Sequence, residues 1–190
     1  QSYGAAFRWR WLRDESWSAA FNGSLEVWEV RSGGNVAFTS SAASGNNIFN
    51  DSGSFVFTRN LVGSLSLPLS WQPSSTWQFT FAPGVSFLPA NQGTSQGGAG
   101  EFYGNNPFIS AGILVQPTPE FGFTTSVLFP FGIGTNSFDA DLVFSRVPII
   151  SAGLKWDLNP RIGLRGLLTN GFGATPATAL LTLPSSNRLG

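Results

Sequence analysis

The chain has 190 residues, of which ten are basic and ten are acidic, so charged side chains make up 11 % of the sequence. A soluble globular domain carries roughly 25 %, and here 18 Phe, 7 Trp and 23 Gly residues replace the missing charge. Because the sequence contains no Cys, Met or His, it excludes disulfides, Cys/His zinc sites and every catalytic mechanism that needs His or Cys. The balanced charge without basic runs argues against nucleic acid. We therefore expect a protein that is not an enzyme and has no cofactor, metal or nucleic-acid partner.

The length suits one domain, and no charged or Pro-rich linker divides the sequence. We therefore expect a single domain over residues 1–190, with no separate second domain. No stretch approaches the roughly 18 consecutive apolar residues that a membrane helix requires. If the fold meets a membrane, it does so with strands.

Apolar residues recur at every second position along the chain, which is the period of a β-strand. In the second segment, for example, Trp17, Phe21 and Leu25 alternate with small or polar residues such as Ser18 and Asn22. Eight such segments follow one another, most of them near the 9 to 11 residues of a tilted membrane strand. They cover residues 7–11, 17–27, 61–72, 77–87, 109–116, 121–131, 150–157 and 161–169.

Connections of two kinds alternate between these segments. Short turns rich in Pro, Asp, Asn and Ser lie at 13–16, 72–75, 117–120 and 158–160. Longer connections rich in Gly, Asn and Ser cover 28–54, 88–106 and 132–145. An antiparallel meander with short turns at one end and long loops at the other is typical of outer-membrane barrels.

Four prolines interrupt the strand-like segments, at positions 68, 83, 130 and 148. Each removes one backbone donor from a sheet. We therefore expect these prolines at bulges or near the ends of strands.

Aromatic residues flank the short turns and share the apolar parity of their segments. An amphipathic ring at a fixed depth beside the turns is what an aromatic girdle at a membrane surface requires. The predicted girdle residues are Trp11, Trp17, Trp71, Trp77, Phe121 and Trp156.

Charged residues within the segments fall on the opposite, polar parity. Arg or Lys facing lipid at mid-depth would cost roughly 2 to 4 kcal/mol, so this placement supports the assignment of faces. The residues predicted to face a lumen are Arg8, Arg10, Glu26, Lys155, Asp157, Arg161 and Arg165. They form either an anion-preferring wall or interior salt bridges that fill a narrow barrel, and the choice depends on the strand number. Asp139 and Asp141 lie in a long loop, where we expect them to solvate the loop rather than bind Ca²⁺.

The alternation, the Trp-flanked turns and the Gly/Asn-rich loops resemble Gram-negative-type outer-membrane β-barrel proteins of porin-like character. The hairpin of residues 159–166 looks like those of cyanobacterial and proteobacterial barrels. The resemblance spans nearly the whole chain and identifies no subfamily. It implies an all-β, antiparallel up-and-down transmembrane β-barrel of at least eight strands in the outer membrane of a Gram-negative envelope.

Membrane lipid is then the first partner, small solutes or ions pass through the barrel if it is a pore, and a homo-oligomer is compatible with the sequence. The chain stops at residues 187–190 where a ninth strand would begin. We therefore expect either a fragment of a longer barrel or a strand count that is off by one at an end.

Three functions are compatible with these observations. The first is a pore or passive transport channel, with an anion preference set by the basic residues. The second is a structural barrel whose long loops bind a polysaccharide or another envelope component. The third is a secreted β-sandwich, but the solvated face of a sandwich usually carries many charges, and the polar parity here is mostly Ser, Gly, Asn, Gln and Ala.

Overall fold

A computed structural model describes residues 2–30, 58–91, 102–138, 144–159, 161–171, 173 and 175–182. These residues form strands and turns, and no helix among them could cross a membrane. The all-β prediction is therefore confirmed. The strands are β1 (Ser2–Arg13), β2 (Trp17–Val30), β3 (Thr58–Ser66), β4 (Leu69–Trp71), β5 (Trp77–Asn91), β6 (Phe102–Val115), β7 (Phe121–Pro130), β8 (Ser137–Phe138), β9 (Phe144–Ser145), β10 (Ile149–Asn159) and β11 (Ile162–Thr169).

Nine of these strands form one antiparallel sheet in the order β1-β2-β3-β5-β6-β7-β10-β11, in which β4 pairs with β2 and β5. Because β3 and β4 pair with the same two neighbours, they occupy one position, and the sheet has eight positions. Consecutive positions are neighbours throughout, so the antiparallel up-and-down order is also confirmed. Among the described residues, the outer edges of β1 and β11 have no strand partner.

The third predicted segment is not one continuous strand, because it breaks at Leu67 and Pro68. Leu67 donates its backbone N–H to the carbonyl of Pro83 in β5, at 3.0 Å. A strand residue presents its N–H and C=O to the same neighbour, so the nitrogen of Pro83, which has no hydrogen to donate, also faces this break. Pro130 ends β7 and Pro148 precedes β10. The prolines therefore lie at a break, beside it or next to strand ends.

Two predicted loops are shorter than the sequence pattern indicated. Strand β2 continues to Val30, because Trp28, Glu29 and Val30 pair with residues of β3. Strand β5 continues to Asn91, which pairs with Phe102 at the start of β6. Residues 31–54 and 92–101 of these two predicted loops lie outside the described residues. The third loop contains the small hairpin of β8 and β9.

The two faces of the sheet have opposite compositions and an unusual exposure. The apolar face carries large side chains that are exposed, such as Trp9 at 66 % and Leu65 at 38 %. The polar face is the more buried one from β2 to β6, where Ser64, Ser86 and Asn106 are all buried. A protein in water normally buries its large apolar side chains and exposes its polar ones. This sheet does the reverse.

Candidate functional site

A row of small hydroxyl side chains crosses the whole polar face. The pairing register links Arg13 at the end of β1 to Thr169 at the end of β11 through one residue on each intervening strand. Hydrogen bonds join two pairs of neighbours in the row, Ser70 with Thr80 at 3.2 Å and Ser151 with Thr169 at 2.8 Å. The intervening residues in order are Ser18, Ser70, Thr80, Gly112, Ser126 and Ser151.

A second polar row lies nearer to the long-loop end of the sheet. Ser24, Ser64, Ser86 and Asn106 are successive partners across β2, β3, β5 and β6. The hydroxyl groups of Ser24 and Ser64 are hydrogen-bonded at 2.9 Å. Ser86 is buried, and its hydroxyl has no hydrogen-bond partner among the described residues. Buried polar atoms normally have a hydrogen-bond partner in the protein or in ordered water.

Glu26 is a buried acid on this face. It lies in β2 between its partners Gly4 and Val62, and it is only 4 % exposed. Its side chain lies over Gly4, because a Cβ at that position would come within 2.5 Å of the Glu26 Cγ. Oε1 accepts a hydrogen bond from the backbone N–H of Ala177 at 3.3 Å, whereas Oε2 has no partner among the described residues. Within the described part of the chain, one oxygen of the carboxyl group is therefore left without a partner.

The segment that contacts Glu26 follows the last strand and comprises residues 175–182. Ala177, Leu180 and Leu181 are each at most 1 % exposed, which makes them some of the most buried side chains described. Thr178 stabilises the turn, because its backbone N–H and its hydroxyl both donate to the carbonyl of Thr175. This segment thus has a buried core of its own against the polar face.

Asn136, in the third long loop, holds the 175–182 segment in place. Its side-chain amide donates to the carbonyls of Val147 at 2.8 Å and Leu180 at 2.6 Å. Its carbonyl oxygen accepts from the N–H of Val147 at 2.8 Å, and its backbone carbonyl accepts from the N–H of Thr182 at 3.0 Å. One fully buried asparagine therefore joins the long loop to the segment.

Charged residues form a separate cluster on β10 and β11. Lys155 and Arg165 are direct cross-strand partners, and each also contacts Asp157, with N–O distances of 2.9 Å and 2.8 Å. Arg161 lies in the turn before β11 rather than on a strand. An open cleft of about 910 Å³ at this short-turn end is lined by Asp157, Arg161 and Arg165, together with Glu120 from the preceding turn.

The seven charged residues predicted to face a lumen do not form one site. Lys155, Asp157, Arg161 and Arg165 are together. Arg8 and Arg10 lie on β1, at the opposite edge of the sheet, where they are paired with Asn22 and Ala20 of β2. Both arginines are exposed. Glu26 stands apart near the long-loop end.

The predicted girdle residues are all exposed, and all of them lie near short turns. The rings of Trp17 and Trp71 stack with centroids 5.9 Å apart, and Trp71 stacks on Phe79 at 5.5 Å. Trp77 stacks on the same Phe79 at 6.1 Å. The remaining members are Phe121 and Trp156, which are cross-strand partners, and Trp11, which occupies the bulge between β1 residues Arg10 and Leu12.

Several residues of this site are absent from the sequence prediction. Phe79 lies two residues after Trp77, at the next apolar position of the alternation. The alternation could therefore have added it to the girdle. Phe108 lies buried on the polar face, where its ring covers Gly84: a Cβ on that glycine would come within 2.4 Å of the ring. Asn136 and the 175–182 segment have no periodic signal, because contacts distant in sequence determine their positions.

No group of three or more His, Cys, Asp or Glu residues that could hold a metal ion occurs among the described residues. Asp139 and Asp141 lie outside them. Comparison with protein-family models, with curated proteins and with solved structures finds no match to this chain. Any functional conclusion therefore depends on the two faces of the sheet, on the buried polar residues and on the line of stacked rings formed by Trp17, Trp71, Phe79 and Trp77, here called the aromatic band.

Proposed function

We propose that this chain is a membrane-embedded β-barrel of the outer-membrane type that forms a passage for small solutes or ions. The observation that carries the proposal is the reversed exposure of the sheet, with large apolar side chains exposed on one face and Ser, Asn and Glu buried on the other. An exposed apolar surface of this extent requires an apolar partner. Lipid suits it, because the side chains alternate along every strand as they do in membrane barrels.

The aromatic band supports the same proposal. Trp17, Trp71, Phe79 and Trp77 form a continuous line of rings on the apolar face, next to the short turns. Indole rings prefer the depth of lipid headgroups, because they combine an apolar body with a polar N–H. We propose this line as one of the two interfacial girdles of the barrel.

The stagger of the strands defines the register in which the sheet would close. The hydroxyl row starts at the short-turn end of β1 and finishes at the opposite end of β11, so neighbouring strands are displaced in one direction. If Thr169 pairs with Gly4, the row returns to β1 eight residues away from Arg13, counted along β2 from Ser18 to Glu26. A stagger of eight in eight strands corresponds to a tilt of about 36°, within the usual range for closed barrels. Closure would also pair the edges of β1 and β11.

Two measurements test the proposal together. The chain should need detergent or lipid to stay monomeric, and it should produce defined current steps in planar bilayers. A chain that is a soluble monomer without detergent would contradict the membrane barrel and favour the β-sandwich. Within the described residues, however, the hairpin of β8 and β9 is the only other sheet, and it is too small to cover the apolar face.

Closure can be tested in a chain that has no native cysteine. The register above makes Ala5 and Leu168 neighbours on the apolar face, so the pair Ala5→Cys and Leu168→Cys should form an intramolecular disulfide. The matched control pairs Ala5→Cys with Leu164→Cys, four residues further along β11 and about 13 Å away. A disulfide in the control alone, or in neither variant, would refute closure at this stagger.

A structural barrel is the second candidate, and one observation favours it. Eight strand positions leave an interior just wide enough for side chains, and the 175–182 segment occupies part of that space. A detergent-dependent monomer that stays electrically silent, with or without that segment, would support the structural barrel over the passage.

A further inference from the structure

The 175–182 segment packs on the polar face at one position that is fixed from two sides. Ala177 donates to Glu26 on β2, and Leu180 and Thr182 bond to Asn136 in the third long loop. Gly173 allows the chain to turn back into this position, because a Cβ there would overlap the carbonyl of Thr178. In a closed barrel the polar face is the interior, so this segment crosses the interior near its long-loop end.

Glu26 is the charged side chain at that crossing. Its cross-strand partner Val62 is 1 % exposed, so the carboxyl group has a buried apolar neighbour. An unpartnered carboxylate oxygen in such surroundings attracts a cation more strongly than the same group does in bulk water. The Oε2 atom of Glu26 has no partner among the described residues, which leaves it open to an ion or to water.

We propose that residues 175–182 form the constriction of the passage and that Glu26 makes this constriction selective for small cations. This inference depends on the proposed function, because it assigns the selectivity of that same passage. The basic residues lie elsewhere: Arg8 and Arg10 are exposed on β1, and Lys155 and Arg165 share Asp157 near the short turns. The ion selectivity of a passage is set where the path is narrowest and least hydrated. Glu26 should therefore influence selectivity more than these basic residues do. The excess of basic residues among the seven charges predicted to face a lumen indicates an anion preference instead. The two predictions therefore differ in the sign of the preferred ion.

The test is the reversal potential of single channels in a potassium chloride gradient across a planar bilayer. The wild-type chain should favour potassium. Glu26→Gln keeps the size of the side chain and removes its charge, so the potassium-to-chloride permeability ratio should fall by about fivefold or more. Glu15→Gln is the matched control, because Glu15 is exposed in a short turn and its loss should leave the reversal potential unchanged.

Two further variants distinguish the ion selectivity of the passage from its width. They also keep the proposal testable if the Glu26→Gln chain does not fold. Glu26→Asp keeps the charge but shortens the reach to Ala177, so the potassium preference should persist while the conductance rises. Asn136→Ala removes the hydrogen bond from the side-chain amide to the carbonyl of Leu180. This variant should also raise the conductance, because the 175–182 segment is held less firmly.

The outcomes distinguish the two proposals. If the wild-type chain and all these variants are silent in bilayers, the proposed passage fails. If the wild-type chain conducts but favours chloride, or if Glu26→Gln leaves its reversal potential unchanged, the passage stands and the role of Glu26 is refuted. If Asn136→Ala and Glu26→Asp both leave the conductance unchanged, residues 175–182 are not the constriction.

Discussion

Replacing Leu65 with Arg tests the assignment of the apolar face to lipid most directly. Leu65 is exposed on β3, and Trp71 of the aromatic band lies further along the same position of the sheet. The ten residue steps from Leu61 to Trp71 span about 33 Å at about 3.3 Å each. A strand tilt of about 40° converts this length to about 25 Å along the membrane normal, which matches the apolar band of a membrane barrel. Leu65 then lies near mid-depth, and Leu61 lies at the interface opposite Trp71.

This geometry predicts a difference between two identical substitutions. Leu65→Arg should lower the free energy of unfolding by about 2 to 4 kcal/mol, and Leu61→Arg by about 0 to 1 kcal/mol, because the cost of a lipid-facing Arg depends on depth. Guanidinium unfolding of the chain in lipid vesicles, followed by tryptophan fluorescence, measures both values. If the apolar face contacts water instead, both substitutions should stay within about 0.5 kcal/mol of wild type. Equal costs at the two positions would refute the lipid assignment.

Two other substitutions test the polar face. Asp157→Asn leaves the cross-strand partners Lys155 and Arg165 without their shared carboxylate, so chloride permeability through the passage should rise relative to the wild-type chain; an unchanged permeability would place this cluster outside the path. Gly84→Ala should destabilise the fold by about 1 to 3 kcal/mol in the same unfolding assay, because the new methyl group meets the ring of Phe108 and the carbonyl of Leu65. Gly166→Ala is its control, since nothing lies within 4 Å of the added atom, and equal effects of the two substitutions would contradict this packing.

The strands were predictable because their signal is local. Successive side chains in a strand face opposite sides, so the alternation around Trp17, Phe21 and Leu25 identifies both the strand and its faces without knowledge of its neighbours. The short turns were equally readable, since Asp14 and Pro73 lie in connections too short for anything but a hairpin. Antiparallel pairing follows from length only across these short turns, because a parallel crossover needs a dozen or more residues.

Other features could not be read from the sequence, because they depend on contacts between distant residues. At the break between β3 and β4, Pro68 accepts from Ala20 on β2 and Pro83 accepts from Leu67 on the other side, so the two prolines meet at this point although they are 15 residues apart in sequence. Glu26 shares the parity of Ser24, but its burial depends on Ala177, which is 151 residues away in sequence. Alternation assigns Glu26 to the face of Ser24 and gives no indication of what covers it.

The small side chains of the polar face and the inserted segment explain each other. In the proposed closed barrel, eight strand positions would enclose an interior that ordinary side chains fill, yet the rows through Ser18 and Ser24 consist largely of Ser, Thr and Gly. Small residues there leave room for backbone, and residues 175–182 are the backbone that takes part of it. A wider barrel built from more strands would not need such small walls to admit a segment of this size. The composition of the polar face therefore favours a narrow barrel, in which one acidic side chain at the crossing has a large influence on what passes.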